Sequence, residues 1–313
     1  MSRPRLGVLV QLRDALVQRI AAAVPDADVV AIPWEGDIPS SAHGEVLVTM
    51  AWGSANLAQA LARGVRWVHA LGTGIDRFPV ELLGDRVLTC SRGASAIPIA
   101  EWVLAVMLAF EKRLPEAWIA DVPPEGARMH LGTLHGKTLG LVGLGGIGTA
   151  VATRALPFGM RVRACRRMPD RGGFAGVEIV ASPAALVATA DHVVVAAPAT
   201  PATHHLFDQA LFAAMKPGAH LVNIARGAIV DQEALRRALD DGRVARASLD
   251  AVEPEPLPAG HWMYDHPRVR LSPHLSWNMP GAADLLLDCV IDNLRRWRDG
   301  EPLTGVVDRA AGY

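Results

Sequence analysis

The chain has 313 residues, room for about two domains of ordinary size, each with its own core. Half of it is hydrophobic, a fifth is charged and 5% is aromatic, which excludes a disordered chain and a disulfide scaffold. Its 31 basic and 32 acidic side chains leave a formal net charge of −1, so no broad field is available to hold a nucleic acid or an anionic membrane surface.

Met1-Ser2-Arg3-Pro4-Arg5 runs into a short apolar segment, Leu6 to Val10, without the length or cleavage site of a signal peptide. No uninterrupted apolar run reaches the ~18–20 residues of a membrane span. Beyond Leu6–Val10, short β-branched runs at Asp28–Ile32, Glu45–Thr49, Arg66–Ala70 and Arg86–Thr89 alternate with helical stretches such as Asp14–Val24 and Ser54–Ala62. Continuous apolar strands with helices between them predict a parallel sheet covered on both faces. A long helix is predicted after Pro98, where Ile99, Val103, Val106, Met107 and Phe110 recur at helical spacing. A polar, proline-containing stretch, Asp121–Gly126, follows it.

A second alternating series begins at Lys137–Val142. It continues through Met160–Cys165, Asp191–Ala196, Ala219–Ile224, Val244–Asp250 and Val269–Ser272. The last predicted helix, Ala282 to Asp299, carries Leu286, Val290, Leu294 and Trp297 on one stripe. The fold class is therefore α/β with two parallel-sheet units. Cys90, Cys165 and Cys289 are scattered, with no C-x-x-C pair, which predicts a reducing, cytoplasmic compartment and no metal site.

The sharpest local signal opens the second series. The predicted strand Thr138–Val142 runs into Gly143-Leu144-Gly145-Gly146-Ile147-Gly148 and then a helix. The first glycine permits a tight turn, the second lets backbone approach a pyrophosphate, and the third lets the helix pack on its strand. Free N–H groups at the helix start complete an anion site. A lone G-x-G-x-x-G can be a mere glycine-rich turn, but the strand–turn–helix context predicts dinucleotide binding. The next strand ends in Arg166-Arg167, where an acidic residue for the ribose hydroxyls is expected. A guanidinium pairs with a 2′-phosphate instead, so NADP(H) is expected over NAD(H). The competing reading is an exposed basic turn in a chain where 28 of the 31 basic residues are arginine.

Three further positions share one topological address, the carboxyl ends of strands, where open α/β sheets place their ligands. Arg226 follows Ala219–Ile224, Glu255 lies in the proline-rich loop after Asp250, and His274 follows Val269–Ser272. Taken singly, the stronger readings are a loop cation for Arg226, a solvated loop acid for Glu255 and a hydrogen-bonded turn histidine for His274. Together they fit hydride transfer to a 2-keto acid. Arg226 would hold the substrate carboxylate bidentately, His274 would protonate the nascent alkoxide, and a neighbouring Glu255 would favour the imidazolium.

These residues carry a family resemblance over nearly the whole chain. The sequence resembles the D-isomer-specific 2-hydroxyacid dehydrogenases, the group that includes glyoxylate/hydroxypyruvate reductases and phosphoglycerate dehydrogenase. The matching stretches are Gly143–Gly148, Leu221–Asp231, Leu249–Pro256 and Ser272-Pro273-His274. The resemblance implies an Arg226–Glu255–His274 triad, with Asp250 holding the nicotinamide carboxamide and Pro198, Thr203 and Ala225 also at the cofactor. It implies a flavodoxin-like substrate domain of residues 1–97 plus 282–313, and a Rossmann NAD(P)-binding domain of residues 98–281. Both domains are then doubly wound. Leu71–Asp76 resembles the family's substrate loop, with Thr73 and Gly74 at the carboxylate, and its competing reading is a glycine-rich turn. Ser91–Ala100 with Glu101-Trp102 resembles the segment leading into the hinge helix. Trp52, Met50 and Trp277 are candidates for the pocket wall and equally for packing.

The departures from the family pattern also inform. No third, regulatory domain is expected after residue 313, unlike many phosphoglycerate dehydrogenases. Glu255 argues against formate dehydrogenase relatives, which carry an amide there, and Thr73 against a phosphite oxidiser, which carries a lysine. The resemblance further implies a homodimer through the long helix and the segment after it. The rival from another class is a nucleotide-sensing, corepressor-like protein on the same fold with little turnover.

Overall fold

The computed structural model describes residues 5–122, 128–167 and 173–313. Met1–Pro4 and residues 123–126 of the proline-containing stretch lie outside the described residues. The chain divides into two compact units, Met1–Ser95 with Met279–Tyr313, and Ala96–Asn278.

Among the described residues, the first unit carries a five-stranded parallel sheet. Its strands are β1 (Leu6–Val10), β2 (Ala27–Ala31), β3 (Val46–Met50), β4 (Trp67–Leu71) and β5 (Val87–Cys90), in the order β2-β1-β3-β4-β5. Alternate side chains face opposite sides of the sheet. Val8, Val10, Val46, Val48 and Trp67 pack with α1 (Asp14–Ala23) and α8 (Ala282–Asp299), while Leu9, Leu47, Val68 and Ala70 pack with α2 (Leu57–Leu61). The terminal helix α8 thus completes the core of the N-terminal sheet. Its Leu287, Val290, Ile291 and Leu294 are buried, and Trp297 lies 5.5 Å from the ring of Trp67.

Beneath that face runs a fully consistent hydrogen-bond chain. Trp67 Nε1 donates to Thr89 Oγ1 (2.8 Å), which lies 2.8 Å from His69 Nδ1. His69 Nε2 lies 3.1 Å from Ser91 Oγ, which donates to the carbonyl of Leu286. Since Ser91 spends its only proton on that carbonyl, His69 must donate through Nε2 and accept through Nδ1. The ring is therefore neutral, and burial lowers its pKa to about 3.

The second unit carries a seven-stranded parallel sheet among the described residues, in the order β12-β11-β10-β9-β6-β7-β8. The strands are β6 (Thr138–Val142), β7 (Arg161–Cys165), β8 (Val177–Ile179), β9 (His192–Val195), β10 (Ala219–Asn223), β11 (Val244–Leu249) and β12 (Val269–Leu271). One face packs on α3 (Ala96–Glu111) and α4 (Gly146–Ala155). The other packs on α5 (Pro183–Val187), α6 (Gln209–Ala214) and α7 (Gln232–Asp240). Chain order reverses between β6 and β9, which makes their carboxyl ends the switch point of the sheet.

Two local features differ from expectation. The edge strand β8 has three residues, too few for a periodicity to register. Helix α3 starts at Ala96, two residues before Pro98, because a proline in the first turn lacks only an N–H that has no helical acceptor there. At its other end, buried Glu111 accepts from Lys137 Nζ (2.5 Å) and pairs with His192 Nε2 (2.9 Å). Burial raises the Glu111 pKa, but these two hydrogen bonds and charges outweigh it and the net shift is downward. His192 Nδ1 in turn lies 3.2 Å from His220 Nδ1, whose complete burial lowers its pKa well below the ordinary value. Among the described residues no helix is long and apolar enough to cross a membrane.

Candidate active site

The glycine turn after β6 has the geometry each glycine requires. Gly143 adopts φ 103°, and a β-carbon there would lie 2.7 Å from the carbonyl oxygen of Ala196. That approach seats the turn against the loop after β9, in which Thr203 Oγ1 donates to the carbonyl of Pro198 (2.7 Å). Gly148 lies against the carbonyl of Gly143, so any side chain there would push α4 off its strand. Gly145 is the opposite case: a β-carbon would meet nothing within 4 Å. The space above Gly145 is open, and the first turn of α4, with Gly146, Ile147 and Gly148, presents N–H groups that no helical carbonyl can satisfy. An open cradle over a helix N-terminus suits an anion such as a pyrophosphate.

The end of β7 lies beside this cradle, because Gly143 N donates to the carbonyl of Cys165 at 2.8 Å. Arg166, the next residue, is half-buried, and Arg167 is exposed. Arg166 thus follows directly on the residue whose carbonyl meets the glycine turn.

Three neighbouring strand ends on the far side of the switch point are laced together. Asn223, the buried last residue of β10, donates through Nδ2 to the carbonyls of Arg226 (3.0 Å) and Ala251 (3.3 Å) and accepts from the N–H of Ala225 (3.1 Å). Arg226 Nη1 donates to the carbonyl of Ala225 (2.8 Å). Gly227 lies so close to Val252 and Glu253 that no β-carbon fits. This presses the Arg226 loop onto the segment leading to Glu255.

Asp250, buried at the end of β11, accepts from Ser272 Oγ (2.6 Å) and Leu275 N (2.9 Å) through Oδ1 and from Ser276 N (3.0 Å) through Oδ2. All three donors belong to the turn that carries His274. That turn holds His274 in the left-handed region, φ 50°, which non-glycine residues adopt only when their surroundings impose it. Trp277 Nε1 closes the turn by donating to the His274 carbonyl (2.9 Å). His274 Nδ1 lies 2.9 Å from Glu255 Oε1, with both side chains about 30% exposed. A carboxylate on Nδ1 fixes that nitrogen as the donor and leaves Nε2 as the outward-facing atom.

The expected residues in this unit therefore meet in two linked groups. Gly143–Gly148, Arg166, Pro198 and Thr203 surround the switch point, and Ala225, Arg226, Asp250, Glu255 and His274 occupy the next strand ends. Asn223 and Ser272 are the site residues that pattern reading passes over. Asn223 is signalled only by being an amide at the end of an otherwise apolar strand end, Leu221-Val222-Asn223. In the first unit, Thr73 and Gly74 lie in the turn after β4, and Trp52 follows β3 with 56% of its surface exposed. On the surface, His204, His205 and Glu253 bring ligand-type atoms within 4.8 Å of one another, with the two imidazoles stacked.

The family described as "D-isomer specific 2-hydroxyacid dehydrogenase, NAD binding domain" matches residues 104–276. The chain is 32% identical over 262 residues to glyoxylate/hydroxypyruvate reductase A of Serratia proteamaculans, covering 80% of this chain and 82% of the relative. It is 28% identical to the human glyoxylate reductase/hydroxypyruvate reductase, over 95% and 96% of the two chains. Among solved structures, the D-isomer specific 2-hydroxyacid dehydrogenase of Xanthobacter autotrophicus Py2, crystallised with NADPH and MES, superposes with a TM-score of 0.82. The two are 27% identical, over 98% of this chain and all of that one.

Proposed function

The chain belongs to the D-isomer specific 2-hydroxyacid dehydrogenase family and is an oxidoreductase acting on CH–OH donors, and from that premise we propose that it interconverts a 2-keto acid and its D-2-hydroxy acid through Arg226, Glu255 and His274. The observation that carries this reading is the 2.9 Å pair between His274 Nδ1 and Glu255, which joins the ends of β12 and β11 beside β10, the strand that presents Arg226.

Arg226 supplies a planar, permanently charged fork for the substrate carboxylate, with its backbone held by Asn223. In the first unit, Thr73 and Gly74, in the turn after β4, offer backbone N–H groups to a substrate carboxylate. His274 donates a proton from Nε2 to the ketone oxygen as that oxygen becomes an alkoxide, and accepts it back in the reverse direction. Glu255 holds the ring and stabilises its positive charge. Asp250 keeps the His274 turn in place and would hold the carboxamide of a bound nicotinamide. When bound, the reduced nicotinamide supplies the hydride.

The residues fit that cofactor. Gly143, Gly145, Gly146, Ile147 and Gly148 would form the pyrophosphate cradle beside Pro198 and Thr203, and Ala225, at the end of β10, would add to the cofactor site. Arg166, with Arg167, favours NADP(H) over NAD(H). Among relatives, glyoxylate and hydroxypyruvate reductases give the first substrates to try. We further read the protein as a cytoplasmic homodimer. Trp118, Ile119 and Val122, just after α3, are 69–87% exposed, an apolar surface of the kind a second copy covers.

The test is a panel of 2-keto acids, including glyoxylate and hydroxypyruvate, assayed with NADPH and NADH. Turnover that disappears in His274→Ala is expected. Absence of turnover with every keto acid, despite NADPH binding, overturns the reading in favour of a nucleotide sensor. For the cofactor, Arg166→Asp is expected to invert the NADPH/NADH ratio of kcat/KM, and an unchanged ratio removes Arg166 from the assignment.

A further inference from the structure

The first unit carries a set of side chains at the carboxyl ends of four neighbouring strands. Gln11 follows β1, Trp34 follows β2, Trp52 follows β3 and the Gly72–Gly74 turn follows β4. Sheet order places them as β2-β1-β3-β4, so Trp34 must reach across the end of β1 to meet Trp52. It does so, with the two indoles edge-to-face, 6.4 Å between centroids and 64° between planes.

This meeting is fixed by a buried amide clamp. Gln11, 3% exposed, donates through Nε2 to the carbonyl of Pro33 (2.9 Å) and to Asn56 Oδ1 (2.8 Å). It accepts from the fully buried Thr49 hydroxyl (3.0 Å). Asn56 Nδ2 donates to the carbonyls of Pro33 (3.1 Å) and Gly36 (2.9 Å), on either side of Trp34. Ser54, two residues past Trp52, donates to Asn56 Oδ1 (3.1 Å). One asparagine thus ties the loop bearing Trp34 to the loop bearing Trp52.

What the clamp holds is an indole left more than half in water. An exposed ring contributes little to folding through burial, so core stability does not account for locking it. Its position gives a better account. Gly72 packs on Ala51 so closely that a β-carbon would lie 2.7 Å from the Ala51 Cβ. The turn presenting Thr73 and Gly74 is therefore pressed against the residue preceding Trp52. From the end of β4 to that of β2, the edge reads backbone N–H groups, then Trp52, then Trp34.

We propose that the clamped Trp34–Trp52 corner receives the side chain of the substrate, selecting 2-keto acids with an aromatic or large apolar side chain over glyoxylate. The proposal rests on the assignment of Thr73 and Gly74 to the substrate carboxylate. With the carboxylate on that turn, a side chain directed along the edge meets the Trp52 face first. Trp34 acts as the positioning residue that keeps that face upright. Aromatic rings prefer the offset or edge-to-face arrangements such a corner offers.

The experiment compares kcat/KM for phenylpyruvate and for glyoxylate, which has no side chain to place, in the wild type, Trp34→Ala and Trp34→Phe. The wild type is expected to prefer phenylpyruvate by about tenfold or more, within the usual range for one apolar pocket. Trp34→Ala is expected to cut the phenylpyruvate/glyoxylate ratio by about tenfold, mainly through the KM for phenylpyruvate, with Trp34→Phe restoring most of it. A wild type that prefers glyoxylate, or a ratio unmoved in Trp34→Ala, overturns this inference while leaving the keto-acid reductase reading intact. Failure of the wild type to reduce either acid overturns both.

Discussion

Asn223 donates to the main-chain carbonyl of Arg226 at 3.0 Å, so the residue that ends one strand fixes the residue proposed to meet the substrate carboxylate. The same amide bonds Ala251, and the next residue back, Asp250, bonds the turn of His274. Three strand ends are thereby joined in series by two buried polar side chains, Asn223 linking the first to the second and Asp250 the second to the third. Such preorganisation is what a proton donor and a carboxylate clamp need if they are to act without rearrangement.

Arg226→Ala is expected to cost about 2–5 kcal/mol in kcat/KM, the scale of removing one partner from a desolvated charge pair. Arg226→Lys keeps the charge but loses the fork, so it is expected to recover only part of that loss. Steady-state kinetics with the best 2-keto acid check both, and near-normal kcat/KM in Arg226→Lys would show that bidentate geometry is not required.

Asp250→Ala is expected to leave three donors of the His274 turn without their acceptor, at about 1–3 kcal/mol for each one that water cannot reach. The consequence is a fall in kcat of about tenfold or more as His274 leaves its left-handed geometry. If Asp250 acts chiefly on the cofactor carboxamide, the KM for NADPH rises instead and kcat falls little. The split between the two parameters decides between these roles.

Two glycine substitutions are expected to separate folding from cofactor binding. Gly227→Ala drives a methyl into Val252 and Glu253, an overpacking that costs about 1–3 kcal/mol and lowers Tm. Gly145→Ala meets no protein atom within 4 Å, so Tm should hold while the Kd for NADPH rises as the methyl intrudes on the cradle. Thermal melts and a fluorescence titration of NADPH read the two effects, and equal losses of Tm would refute the distinction.

The first unit is expected to lose stability in mild acid through His69. Its folded pKa is about 3 against an ordinary 6.5, so between these values the unfolded chain binds a proton that the folded chain refuses. Stability is unaffected by this group above pH 6.5 and falls by about 1.4 kcal/mol per pH unit below it, until the folded pKa is reached. His69→Gln removes the titration and should flatten the decline of the urea midpoint between pH 6.5 and 4.5. An identical slope in the variant would assign the acid sensitivity elsewhere.

The alternation of apolar runs and helices, the glycine turn in its strand–helix context, and the placing of Arg226, Glu255 and His274 after strands were all legible in the linear chain. Burial periodicity and backbone constraint are local, and a strand, a turn glycine or a helix start can be read within about ten residues of itself. Which strands become neighbours is not local. His274 and Glu255 are 19 residues apart in the chain, paired there only by their shared strand-end address and the family resemblance, while Gln11 and Asn56 are 45 apart and nothing in either segment names its partner. Most element types, the two-sheet class and the chemistry available at the strand ends can be read from the linear chain, the three-residue strand β8 excepted. Only tertiary structure decided that Asn223 and Asp250 brace the adjacent loops, that His274 sits at φ 50°, and that Trp34 crosses a strand end to meet Trp52. These follow from sheet order and close packing, which a one-dimensional pattern of apolar and polar residues does not encode.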